Sequence, residues 1–278
     1  MRILQLTAHF RPNVGGVETH LDDLVKALMS RDFSIAVLTY RPLHTNAQWK
    51  MHEKGKNLEI VRIPWIPNLF YQLVKLPALE FIYLLPGLFL VTPIFLLIRN
   101  IDVIHSHGLV AGFVGVFWGR IFGKRVIVTT HSIYHFPKEG LYRNFAKWIF
   151  ESADKSLGLS KQAVAEIETL GISKEKIDNF TYWVDFNLFK KVANAKKVLG
   201  GRDKFIVLFV GRLVEEKGII ELLQSAKTWN KEITLVIIGS GPLEEKVLEA
   251  TSSYGNIKFA GSLQQEELPN FYSASDIL

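Results

Sequence analysis

Short apolar, β-branched runs alternate with longer helix-period segments along nearly all of the 278-residue chain. In the first two-thirds the strand candidates are residues 2–7 (RILQLT), 33–40, 58–63, 102–106, 125–130 and 155–159. Helical patterns at 17–30, 77–98, 109–122, 140–152 and 161–169 lie between them. Strands that are apolar throughout must be covered on both faces, and the intervening helices supply the cover. The expected architecture is α/β, a doubly wound parallel sheet. Residues 190–204 (KKVANAKKVLGGRDK) interrupt the rhythm. They are basic, contain Gly200-Gly201 and lack a strand pattern, which suits a linker or domain edge. Alternation then restarts, with strands at 205–210, 233–238 and 256–260 and helices at 218–229, 243–252 and 265–273. Asp276-Ile277-Leu278 looks like the opening of one more strand. The expected division is one domain over residues 1–190 and a partial second domain of the same kind over 191–278.

The absence of Cys removes disulfides, thiolate metal sites and cysteine nucleophiles. The net charge of +6 has a local contribution from Arg41, Lys50, Lys54, Lys56, Arg62 and Lys75. One such cluster is weak support for nucleic-acid binding and better suits an anionic membrane surface or a phosphorylated substrate. Residues 81–98 (FIYLLPGLFLVTPIFLLI) are uncharged and reach the lower length limit of a membrane span. Pro86, Gly87 and Pro93 interrupt them, so a buried or membrane-resting helix fits better than a span. The expected location is the cytoplasm, with peripheral attachment to a membrane as the variant.

Ligands of doubly wound sheets sit beyond the carboxyl ends of strands, so residues just after each strand carry the chemistry. Gly15-Gly16 follow the first strand and open a helix. An anion held by free N–H groups and a plain strand-to-helix turn are equally good readings there. His105-Ser106-His107 and His131-Ser132 end two further strands. A metal held by His105 and His107 lacks completing ligands, whereas two strands ending in His at a common edge point to a polar site. In the second half, Gly211-Arg212 and Lys217-Gly218 bracket a strand-to-helix turn. Their bases can converge on a diphosphate, or Glu215 and Glu216 can neutralise them in a solvated turn. Gly239-Ser240-Gly241-Pro242 forms another close-approach loop. There is no P-loop, no G-x-S-x-G elbow and no persuasive carboxylate pair.

The order of these motifs resembles family 4 glycosyltransferases, retaining GT-B enzymes that use nucleotide-diphosphate sugars. The matching residues are Gly15-Gly16-Val17-Glu18-Thr19-His20, Asp102 through His107, Thr130-His131-Ser132, Ser160-Lys161, Val184-Asp185 with Phe189, Gly211-Arg212 with Lys217-Gly218, and Gly239-Ser240-Gly241-Pro242. The two histidine motifs are most similar to the branch that adds N-acetylglucosamine to phosphatidylinositol. The resemblance implies two Rossmann-like domains facing across a cleft. It implies that Arg212 and Lys217 hold the donor diphosphate, and that the Gly15 and Gly16 amides approach that phosphate or the acceptor. His131 would line the sugar pocket at the reacting carbon, with His107 on the acceptor side. Gly239, Gly241, Ser262 and Leu263 would lie near the nucleotide. No metal or other cofactor is implied. The expected partners are a nucleotide sugar, an acceptor glycan or lipid-linked acceptor, an anionic membrane surface, and a second chain completing the C-terminal domain.

Two departures stand out. Tyr182-Trp183 replaces the family's Asn-Gly before Val-Asp, and no two Glu residues have the family's seven-residue gap. The competing readings are therefore a catalytically incomplete fragment, one half of a split enzyme or a non-catalytic binding subunit, and a GT-B epimerase, which would need the missing carboxylate pair.

Overall fold

The computed structural model describes residues 1–13, 15–43, 47–67, 69–73, 77–198 and 204–278. They form two compact units, Met1–Tyr182 and Trp183–Leu278. The division falls ahead of the 190/191 boundary expected from composition, and residues 199–203 of the expected linker lie outside the described residues.

The first unit contains β1 (Arg2–Thr7), β2 (Ser34–Tyr40), β3 (His52–Lys54), β4 (Leu58–Ile63), β5 (Val103–His107), β6 (Arg125–Thr130), β7 (Lys155–Gly158) and β8 (Ile177–Asn179). Its helices are α1 (Gly16–Met29), α2 (Phe70–Leu73), α3 (Pro77–Ile98), α4 (Gly108–Ile121), α5 (Leu141–Ser152) and α6 (Lys161–Thr169). The strands make one sheet in the order β3-β4-β2-β1-β5-β6-β7-β8. All pairs are parallel except β3 with β4. Alternate residues of each strand feed opposite cores. Ile3, Ile35, Val37 and Val103 pack with Leu21 and Val25 of α1. Leu4, Leu38, Ile104 and Val128 pack with residues of α3, α4 and α5. The sheet is thus covered on both faces, as its continuous apolar strands require. Gly112, Gly115 and Gly119 bring α4 close to that sheet, since a Cβ at each would meet Val128, Ser106 and Val126 in turn.

Helix α3 carries Pro86 and Pro93 inside it. The Tyr40 hydroxyl, from the end of β2, accepts from the Leu88 N–H at 2.9 Å and donates to the Leu84 carbonyl. An unbroken helix would join those two backbone groups to each other, so Tyr40 is inserted into the ladder. By length and composition α3 could cross a membrane, with an 18-residue stretch of mean hydropathy 2.4 inside Ala78–Ile98. Leu84, Leu88, Phe95 and Leu96 are buried in the core, while Ile82, Leu90, Ile94, Leu97 and Ile98 are exposed.

The basic segment before α3 is not one surface patch. Arg62 is 2% exposed. Its guanidinium holds the Lys50 carbonyl at 2.8 Å, the Arg11 carbonyl at 2.8 Å and the Glu53 carboxylate. Arg41 lies over the Trp49 ring at 5.1 Å. Lys75 lies outside the described residues.

The second unit contains α7 (Ala195–Val198), β9 (Phe205–Val210), α8 (Ile219–Ala226), β10 (Ile233–Ile238), α9 (Glu244–Ser253), β11 (Ile257–Phe259) and α10 (Leu268–Ala274). Its sheet runs β11-β10-β9, all parallel. Leu213, Ile219, Leu223, Leu235, Ile237 and Val247 form one core. Ile206, Leu208, Val236 and Ile238 form the other, against Phe271 of α10. On the free side of β9, Ile277 makes a parallel bridge to Val207, the strand-like pairing expected of the last residues.

Candidate functional site

In the first unit the chain lays β2 and β4 on one side of β1 and β5 through β8 on the other. The strand order therefore reverses between β1 and β5, where such sheets bind ligands at their carboxyl ends. Thr7 pairs with His107 at that end, and His107 pairs with Thr129 of β6. His131 follows β6 directly, and Gly15-Gly16 open α1 after β1. The fold brings together the first-unit positions expected to form a site.

The histidines form one cluster. His107 Nε2 lies 2.7 Å from Gln5 Oε1, and His107 Nδ1 lies 2.9 Å from His131 Nε2. His131 Nδ1 lies 2.9 Å from the Tyr182 hydroxyl. His105 Nε2 meets Thr129 Oγ1 at 2.7 Å, and its ring centre is 4.3 Å from that of His107. His20, one turn into α1, stacks on Tyr182 at 4.4 Å and 17° and lies 5.7 Å from His131. Burial disfavours charge on every one of these rings. It brings His20 to about 4. Burial, and then the proximity of His20, brings His105 to about 4 and, with His105 added, His131 to about 3. His107 is lowered well below its ordinary value by burial and then by its histidine neighbours. All four imidazoles are neutral at pH 7. They form a hydrogen-bonding surface rather than a cationic one, and both nitrogens of His107 and of His131 are engaged within the protein. Among the described residues no group of three His, Cys, Asp or Glu could hold a metal ion.

The start of α1 holds an anion of its own. Glu18, in the first turn and 7% exposed, places its carboxylate where a Cβ on Gly15 would be. The helix dipole favours a carboxylate in that turn. The two readings of Gly15-Gly16 thus meet in one feature, a turn whose anion-attracting end is served by Glu18.

In the second unit Gly211-Arg212 follow β9, and a 3₁₀ turn (Glu215–Lys217) leads into left-handed Gly218 (φ 69°) and α8. Ile277 on one side of β9 and β10 on the other put the reversal of strand order at β9. Arg212 and Lys217 are exposed there. Among the described residues neither makes an ion pair, so Glu215 and Glu216 do not neutralise them by direct contact. Gly239 and Gly241 approach a neighbouring loop. A Cβ on Gly239 would strike the Gly211 carbonyl, and one on Gly241 would lie 2.6 Å from that of Leu213. Leu213 N–H donates to Ser240 at 2.9 Å and Gly239 N–H to Gly261 at 2.8 Å. The closest approach these glycines permit is loop to loop, which fixes the turn carrying Arg212. Ser262 is exposed beside left-handed Gly261 (φ 71°), while Leu263 packs on the second core. A cavity of about 180 Å³ between Ile206, Thr234, Val236 and Phe271 has none of these site residues in its lining.

Sequence reasoning did not place Gln5, Thr129 or Tyr182 at the site. Gln5 had one available signal, a lone amide inside an apolar strand. Tyr182 had another, its place in a motif where the family has Asn-Gly.

Residues 14–185 match Glycosyltransferase Family 4, and residues 191–278 match Glycosyl transferases group 1. The GPI3 component of phosphatidylinositol N-acetylglucosaminyltransferase from Saccharomyces cerevisiae is 21% identical over 292 residues, 99% of this chain and 61% of that one. The GDP-mannose-dependent alpha-mannosyltransferase of Corynebacterium glutamicum is 27% identical over 296 residues, covering 100% of this chain and 66% of that one. The chain spans about three fifths of the length of the first curated relatives it matches. Among solved structures, sucrose-phosphate synthase from Thermosynechococcus elongatus superposes with a TM-score of 0.75 at 20% identity, over 99% of this chain and 74% of that one. HepE of Anabaena, solved with UDP, gives 0.65 at 17% identity over 99% and 72%. On these matches, and with its two largely parallel sheets in GT-B order, this chain belongs to glycosyltransferase family 4.

Proposed function

We propose that the chain is a retaining glycosyltransferase that moves a sugar from a nucleotide-diphosphate donor to an acceptor. The observation that carries this is the exposed Arg212–Lys217 pair where the strand order reverses, in a chain of this family. The bond from the anomeric carbon to the diphosphate breaks with its electron pair leaving on the diphosphate. The acceptor hydroxyl bonds to that carbon on the same face and passes its proton to the departing diphosphate oxygen. Arg212, with a planar fork of donors, and Lys217, a compact charge, take up the negative charge as it develops on the diphosphate. Cations already in place need no reorganisation during the step, so their effect falls mainly on the transition state. The Gly239–Gly241 loop holds the turn that carries Arg212. A lipid-linked acceptor is supported by the exposed aliphatic face of α3 and by the resemblance to a phosphatidylinositol-modifying enzyme.

Binding of UDP, GDP and ADP, each measured by calorimetry on the parent, Arg212→Ala and Lys217→Ala, tests the assignment. A hydrogen bond to a charged group contributes about 1.5–3 kcal/mol, so each variant should weaken the preferred nucleotide about 10- to 100-fold. Equal affinity in parent and variants sinks the diphosphate assignment. Transfer from the matching nucleotide sugar, by this chain alone and with a candidate second polypeptide, separates a complete transferase from a split one.

A further inference from the structure

The second unit covers its two sheet faces unequally. Helices α8 and α9 pack with Leu235 and Ile237 on one face. The other face, with Ile206 and Leu208 of β9 and Val236 and Ile238 of β10, is met by Phe271 and Tyr272 of α10. Helix α10 has seven residues and is about 10 Å long, whereas β9 and β10 have six residues each and run about 20 Å. So short a helix leaves the amino half of that face open to a cavity of about 180 Å³, whose lining includes Lys204, Ile206, Thr234, Val236, Lys258 and Phe271.

The polar groups of this cavity converge. Thr234 is 3% exposed, and its Oγ1 has no hydrogen-bond partner among the described residues. A buried hydroxyl left unmatched is costly, so this one calls for a partner from the cavity. The register sets Thr234 beside Ile206 and Val236 beside Lys258. Lys204, two residues before Ile206, and Lys258 therefore flank Thr234 diagonally on the same face, one from each neighbouring strand. Long side chains reach across such diagonals. Lys204 is half-buried and Lys258 exposed, so their ammonium groups stand towards the mouth. Among the described residues neither makes an ion pair. Asp276, beside the start of β9, is already taken up by Lys196 at 2.6 Å and by the Ile206 N–H at 2.8 Å.

We propose that this cavity binds a small organic monoanion, a carboxylate carried on an apolar body the size of one aromatic ring. The carboxylate accepts from the Thr234 hydroxyl and faces Lys204 and Lys258, while the ring lies between Ile206, Val236 and Phe271. An apolar cavity of about 150 Å³ is large enough to hold benzene. The one here, about 180 Å³, has room for a substituted ring. An inorganic anion would leave the apolar walls unused, and an uncharged ring would leave the two cations without a counter-charge. Lys204 precedes the amino end of β9 and Arg212 follows its carboxyl end, about 20 Å of strand away. The site is therefore separate from the proposed diphosphate site, and its occupation does not depend on nucleotide binding.

Benzoate, benzyl alcohol and inorganic phosphate, each titrated to about 10 mM as suits ligands this small, test the site on the full chain by methyl NMR. Benzoate should shift the Ile206, Thr234 and Val236 methyl signals saturably, with the other two probes at least about tenfold weaker. Thr234→Val removes the unmatched hydroxyl and should leave the thermal midpoint of the second unit equal or higher. The same variant should weaken benzoate about tenfold, the size of one hydrogen bond. Lys204→Gln with Lys258→Gln should weaken benzoate several-fold and flatten its salt dependence. Nucleotide affinity should be the same in all these variants as in the parent. Benzyl alcohol binding as tightly as benzoate overturns the anion assignment, and phosphate binding as tightly overturns the apolar body. A Thr234→Val chain that is less stable and binds benzoate as the parent does shows a hydroxyl matched within the protein, and the site falls. The absence of any shift at these methyls with all three probes has the same consequence.

Discussion

Tyr40 and Gly87 make a tight residue-scale fit in the first unit. The Tyr40 ring and hydroxyl occupy the space where Gly87 has no side chain, and a Cβ there would lie 2.6 Å from Tyr40 Cε1. Alanine is a better helix former than glycine by about 1 kcal/mol, so propensity alone favours Gly87→Ala. Overpacking a rigid buried ring costs about 1–3 kcal/mol and opposes it. The collision should win, because Tyr40 is fully buried and held at both helix groups. Gly87→Ala should lower the urea midpoint of the first unit, whereas in a Tyr40→Leu background it should be neutral or stabilising. Destabilisation of the same size in both backgrounds would show that backbone strain, not the Tyr40 ring, is responsible. Tyr40→Phe should itself cost about 1–3 kcal/mol, since it leaves buried backbone groups of Leu84 and Leu88 without their partner. In the sequence Pro86, Gly87 and Pro93 mark only an interrupted apolar run. A contact across more than forty residues leaves no mark in local pattern, and the same holds for Tyr182 against His131.

Elements were legible in proportion to how much of their burial is local. The bounds of β1, β4, β6, β9 and β10 agree with their apolar runs to the residue, because each is buried by its own side chains. The strands not foreseen are β3 and β8, three residues each at the two sheet edges. His52-Glu53-Lys54 carries no apolar signal; it is held by its ladder to β4 and by the Arg62–Glu53 contact. Helix α3 shows the opposite limit. It is apolar all round, so its sequence could not reveal which face is buried; the sheet and Tyr40 decide that. If its open face rests on lipid, the chain should pellet with vesicles of phosphatidylcholine and phosphatidylserine. Leu90→Ser with Ile94→Ser should weaken that several-fold without changing nucleotide affinity. Parent protein left in the supernatant at both low and moderate salt removes the membrane contact.

At the scale of the molecule, the two units differ in how they should meet acid. All eight histidines lie at or before residue 135, hence in the first unit, with His44 outside the described residues. His20, His105, His107 and His131 have folded values below the ordinary 6.5, at about 4, about 4, well below it and about 3 respectively. Between those values and 6.5 the unfolded chain binds protons that the folded chain refuses, so folded stability falls as pH drops through that window. The slope reaches about 1.4 kcal/mol per pH unit for each fully buried ring. Glu59 acts lower. Hydrogen bonding to Arg99, then its charge together with His52 and Arg2, brings Glu59 to about 2 against opposing burial. Its contribution is lost only below the ordinary carboxylate value near 4.5. From pH 6.5 to about 4.5 the destabilising protonation is that of the four histidines, opposed in part by Glu80, whose burial raises its carboxyl above the ordinary 4.5, and all five groups lie in the first unit. Hydrogen-exchange mass spectrometry at pH 7.0 and 5.0, corrected for intrinsic exchange, should show protection falling in β1, β5, β6 and α1. Peptides from β9, β10 and α8 should be unchanged. Equal protection of the first unit at both values would mean that these rings accept protons in the folded state. The physical basis of the site and the acid response of its unit are one property, the burial of four imidazoles behind the carboxyl edge of the sheet.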